Sequence, residues 1–70
     1  MRKLSVAEKK SGADNFLYTG ISCFEKGDYS VSVLFLRLAC KLYQDLGDKV
    51  NTGVVRPWYE TACEKAGIAP

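Results

Sequence analysis

Three cysteines and one short aromatic segment are the residues of this chain whose types invite a chemical reading. Cys23, Cys40 and Cys63 show no Cys-x-x-Cys or finger-like spacing. Their odd number, with no secretory signal ahead of them, argues against a disulfide framework. If the three sit on successive antiparallel helices, a rise of about 1.5 Å per residue puts Cys40 roughly 13 Å along from the other two. Zinc–sulfur distances are about 2.3 Å, so no three-cysteine metal site is expected. A Cys23–Cys63 redox pair stays geometrically open beside a plainer reading, in which all three fill apolar helix faces as small hydrophobes.

A nucleophile needs a base beside it. The chain has no His, which removes the commonest general base, the usual metal ligand and the physiological pH switch together. Ser30 and Ser32 fall at a helix start, where capping accounts for them, and Lys41 with Asp45 reads as an i, i+4 surface pair. The expectation is therefore no enzyme, no catalytic residue, no metal and no cofactor. Arg56-Pro57-Trp58-Tyr59 is a different case. Arg, Trp and Tyr dominate binding hot spots, so Arg56 and Tyr59 are candidates for a contact surface, while Trp58 also fits the core.

These side chains belong to 70 residues that are 47% hydrophobic, too apolar for a disordered chain and long enough for one small domain spanning 1–70. Ten Lys and Arg against eight Asp and Glu leave a net charge of +2. Cations concentrate only at the start, where Arg2, Lys3, Lys9 and Lys10 face Glu8 alone. That cluster could touch phosphate or an acidic partner, or be a solvated chain end. The longest apolar run, Val33 to Leu36, has four residues, against about twenty for a membrane span. No apolar stretch of the signal-peptide kind follows Arg2-Lys3, so a soluble, cytoplasmic protein without membrane contact is expected.

Three amphipathic helices must position the candidates. Ala13, Phe16, Leu17, Gly20, Ile21 and Phe24 recur as one helix face. Ser5 with Glu8 offers a capping box, Ser11 a later start, and Gly27 a stop, which predicts a helix over about 5–26. Asp28 is expected to cap a second helix over about 29–46, apolar almost all round and hence central, covered on two sides. Gly47 closes it and Asp48 caps a third, about 49–66, with Val55, Trp58, Tyr59, Ala62, Cys63 and Ala66 repeating the first helix's spacing. Pro57 either kinks this helix or opens it afresh. Such short linkers make consecutive helices antiparallel neighbours. The fold class is an all-α, antiparallel three-helix unit.

Phe16, Gly20, Gly27-Asp28-Tyr29, Ser32, Leu36 and Ala39 stand in the order and spacing of one tetratricopeptide repeat. Residues 13–46 resemble that family, with Ser32 in place of its usual alanine and Gln44 where a proline often ends the repeat. The third helix resembles the first helix of a second repeat. The resemblance implies close crossing of the first two helices and a partner-binding groove along the first, lined by Asp14, Leu17, Tyr18, Ile21 and Glu25. A weaker resemblance, to HEPN helical domains, rests on the Gly-Asp-Tyr turn before an apolar helix; without a His this chain would be an inactive partner protein there.

The expected function is a non-catalytic protein–protein interaction module that binds a protein or peptide and self-associates, a homodimer first. The alternatives are a small nucleic-acid-associated protein using Arg2, Lys3, Lys9 and Lys10 together with Arg56, and the inactive HEPN-like partner.

Overall fold

Ser5 opens the first helix as its sequence signature requires. In the computed structural model, which describes residues 4–70, the Glu8 backbone N–H donates to Ser5 Oγ and the Ser5 N–H donates to Glu8 Oε1, both at 3.1 Å. This reciprocal box satisfies two backbone donors that a helix start leaves open. Helix α1 runs from Val6 to Glu25, passing straight through Ser11 and Gly12. Helices α2 (Tyr29–Asp45) and α3 (Lys49–Ala66) follow.

Two three-residue turns join them, and both are closed in the same way. Gly27 has φ 83° and Gly47 φ 68°, a region that costs glycine little and other residues much. At the first turn the Gly27 N–H donates to Phe24 O and the Asp28 N–H to Cys23 O. At the second, the Gly47 N–H donates to Gln44 O and the Asp48 N–H to Tyr43 O. Each is the paired bonding of a Schellman stop, which uses carbonyls that the helix end would otherwise strand.

The two aspartates after these glycines behave differently. Asp48 accepts from the Asn51 backbone N–H at 3.1 Å and from its Nδ2 at 2.6 Å. Asp28, expected to cap α2, makes no side-chain cap bond, although its carbonyl accepts the Ser32 N–H. The backbones of the two are alike (φ −90°, ψ 70° against φ −84°, ψ 86°). What differs is the residue three positions on: Asn51 supplies a second donor that holds the carboxylate in place, and Val31 supplies none.

Antiparallel packing of α1 on α2 can be followed residue by residue. Phe24 meets the Tyr29 ring, Gly20 meets Leu36, Phe16 meets the Phe35 ring, and Asp14 meets Tyr43. At the crossing a Cβ on Gly20 would lie 2.7 Å from two side-chain atoms of Leu36, so no larger residue fits without displacement. Ser32, itself buried, donates from Oγ to Gly20 O at 2.7 Å. The Ser32 hydroxyl thus has a structural use, bonding the backbone of the neighbouring helix.

The core is one cluster: Ala13 and Leu17 from α1, Val33, Leu36, Ala39 and Tyr43 from α2, and Val55, Ala62 and Cys63 from α3. Helix α2 packs along both neighbours, whereas α1 and α3 scarcely touch each other. The central position inferred from its apolar girth is the one it holds. Helix α3 is continuous through Pro57, so no new helix starts there. The proline has no N–H to give the Gly53 carbonyl and normally costs a helix interior about 3 kcal/mol; burial of Val55, Ala62 and Cys63 on α2 holds the helix together across it.

Candidate functional site

The residues singled out from the sequence fall into three places. Along α1, Leu17 is buried in the core and Ile21 half-buried against it, which leaves Tyr18 and Glu25 as the exposed members of the expected groove. Tyr18 is 71% exposed, the most open aromatic of the described residues, and it projects from the middle of the helix.

Asp14 has an internal use that the sequence did not announce. Tyr43 is 0% exposed, and its hydroxyl donates to Asp14 Oδ1 at 2.5 Å. Lys10 Nζ lies 3.5 Å from the same oxygen and 5.8 Å from the centroid of the Tyr43 ring. A buried phenol, a carboxylate and a surface cation therefore form one chain across the α1–α2 seam. Burial first, and the Asp14 carboxylate second, push the Tyr43 hydroxyl well above the ordinary phenol range. It stays protonated and serves as a donor. The pairing spans 29 positions, and only the α1–α2 register brings the two together.

On α3, Trp58 and Tyr59 are both half-buried and pack against the core, while Arg56 is exposed. Trp58 turns toward α1, its ring perpendicular (86°) to Phe24 at 5.5 Å, and Phe24 in turn stands edge-on to Tyr29. Phe24, Pro57, Trp58 and Thr61 border a shallow cavity of about 290 Å³. Arg56 instead lines a cavity of about 370 Å³ at the α2–α3 corner with Gln44, Gly47, Asp48, Lys49, Thr52 and Gly53. The structure thus does not bring Arg56 into one site with the α1 residues. Asn51 holds the Asp48 carboxyl below its ordinary range, its backbone N–H contributing most and its side-chain amide next.

Of the N-terminal cations, Arg2 and Lys3 lie outside the described residues, Lys9 is half-buried, and Lys10 is engaged with Asp14 and Tyr43. Lys41 and Asp45 share a face of α2 without forming the surface pair expected of them; among the described residues the ion pair that forms is Lys10–Asp14. Cys23 and Cys40 are half-buried free thiols and Cys63 is a fully buried one. No group of three His, Cys, Asp or Glu side chains is gathered among the described residues as a metal ion would need.

Several large apolar side chains are exposed as well. Leu34 and Leu38 on α2 are 55% and 44% exposed, and Val50 and Val54 on α3 are 78% and 47% exposed. Composition had marked α2 as too apolar to stand uncovered, and these two leucines are the part of it that α1 and α3 leave open. No family model matches this chain, and no curated protein or solved structure matches it either. The chain is a small three-helix all-α domain. Among the described residues no helix is long and apolar enough to cross a membrane.

Proposed function

We propose that this chain is a non-catalytic interaction module of tetratricopeptide-like build, working in the cytoplasm by binding protein chains, with a second copy of itself as first partner. The observation that carries the reading is the exposed Leu34–Leu38 face on the most apolar helix. A domain of this length buries a smaller share of its surface than a large one and has a narrow stability margin. Covering that face adds apolar burial at about 25 cal/mol per Å². The tetratricopeptide part of the reading draws support from the close Gly20–Leu36 approach, the Ser32 bond beside it and the full burial of Ala39. On that reading Tyr18 is the exposed anchor of a second, peptide-binding face along α1.

Light scattering on a sizing column at low and high salt tests it. The expected mass exceeds that of the 7.8 kDa chain at both, because apolar contacts are insensitive to screening. A monomer at every concentration overturns the self-association reading.

A further inference from the structure

The outer faces of α2 and α3 carry matching patterns. On α2 the exposed ridge of Leu34 and Leu38 is flanked, three residues on from each, by Arg37 and Lys41. On α3 an exposed ridge runs Val50, Val54, Pro57, Thr61, and three residues on from its last two members stand Glu60 and Glu64. With 3.6 residues per turn, position i+3 lies about 60° round the helix from position i, so both charged rows lie on the same hand of their ridges. All four charged side chains are exposed. None has an ion-pair partner among the described residues: Asp45, one turn from Lys41, and Arg56, one turn from Glu60, leave them unpaired. Each row is therefore a like-charge pair at i, i+4, which repels within its own helix.

We propose that a second copy of this chain covers these faces, the α2 ridge of one molecule packing antiparallel on the α3 ridge of the next. The proposal rests on the self-association reading above and adds to it the two faces and their direction. Antiparallel helices bring rows on the same hand together, and the two rows share a four-residue spacing. Arg37 then meets Glu64 where Lys41 meets Glu60. In that register Leu38 lies level with the last turns of α3, beside Thr61, and Leu34 level with Gly67, beside the exposed Ile68. Val50 and Val54 run past the end of α2. The two leucines supply the apolar contact, and the charges select register and direction. Because the two faces differ, the contact is heterologous. Every copy that docks leaves one face of each kind open, so growth continues past two copies unless a ring closes.

Two charge-reversed proteins test this, Arg37→Glu with Lys41→Glu, and Glu60→Lys with Glu64→Lys. Each is checked for helix content by circular dichroism and sized by light scattering at low salt, alone and mixed in equal amounts. The wild-type mass is expected to climb with concentration past two chains. Each reversed protein alone should associate at least about tenfold more weakly, since like charges across a contact oppose it. The mixture should regain assembly, because each protein then offers the row that the other lacks. Reversed proteins that assemble as well as wild type, or a helical mixture that stays monomeric, overturn these faces and leave self-association standing. A wild-type chain that is monomeric throughout removes self-association, and this proposal with it.

Discussion

Where α1 crosses α2, steric and polar detail converge within a few turns: a glycine too close to Leu36 to be anything larger, a serine bonded to that glycine's carbonyl, and a buried tyrosine bonded to Asp14. Where α2 meets α3, none of the side-chain hydrogen bonds or ring pairs among the described residues joins the two helices. That seam is held by apolar burial of Val55, Ala62 and Cys63, and its outer helix carries a proline in its interior. The contrast is between a seam whose register is specified by directional bonds and one held by non-directional burial. Local stability should follow the same division, with α3 opening before the α1–α2 hairpin.

The largest effect is expected where the specified seam is tightest. Gly20→Val should lower stability by about 3 kcal/mol, the upper end for overpacking, because its first added atom already meets Leu36 at 2.7 Å and the Leu36 backbone nitrogen at 3.3 Å. Urea unfolding at a fixed, dilute protein concentration reads this. An unchanged midpoint would mean that the crossing is not as close as described. On the other seam the sign reverses: Pro57→Ala should raise stability by about 2 kcal/mol by restoring a helix hydrogen bond to Gly53. Hydrogen exchange should show the slowing concentrated in α3; uniform slowing would count against independent opening of that helix.

Tyr43→Phe should cost about 1.5 kcal/mol, the range for a bond to a charged acceptor, and it also carries a pH signature. The Tyr43 hydroxyl has its folded pKa raised above its unfolded value. The folded state therefore holds a proton that the unfolded state releases above about pH 10. The resulting stabilisation is fully present below that pH and is lost as pH rises through the folded value. Unfolding midpoints in alkaline buffers should fall more steeply for wild type than for Tyr43→Phe, and equal slopes would remove the buried phenol from the account. The smallest effect belongs to Gly53→Ala. Nothing lies within 4 Å of the added atom, so helix propensity alone should raise stability by about 0.5–1 kcal/mol. Glycine is thus required where α1 crosses α2 and dispensable at position 53 on the open side of α3.

Much of this architecture is legible in the chain itself. Three helices, their glycine stops and the central place of α2 follow from spacing, because a 3.6-residue repeat and a left-handed glycine are local properties. The close crossing at Gly20 and Ser32 is legible only through the resemblance to a tetratricopeptide repeat, which implies a near approach of the first two helices there. What is not local does not show. The Tyr43–Asp14 bond depends on the register of two helices, so Asp14 reads as surface until they are docked. The unequal behaviour of Asp28 and Asp48 turns on the side chain three residues on, and Arg56 is parted from the α1 residues by the direction in which Trp58 points. Exposure of Leu34 and Leu38 depends on how far round α2 its neighbours reach.

The perpendicular Trp58–Phe24 contact also makes the molecule its own optical gauge. Trp58 is the one tryptophan of the chain, and it stands half-buried where the two outer helices approach. Its emission colour and quenching should follow any parting of α3 from α1, with no dye attached and no background from a second indole.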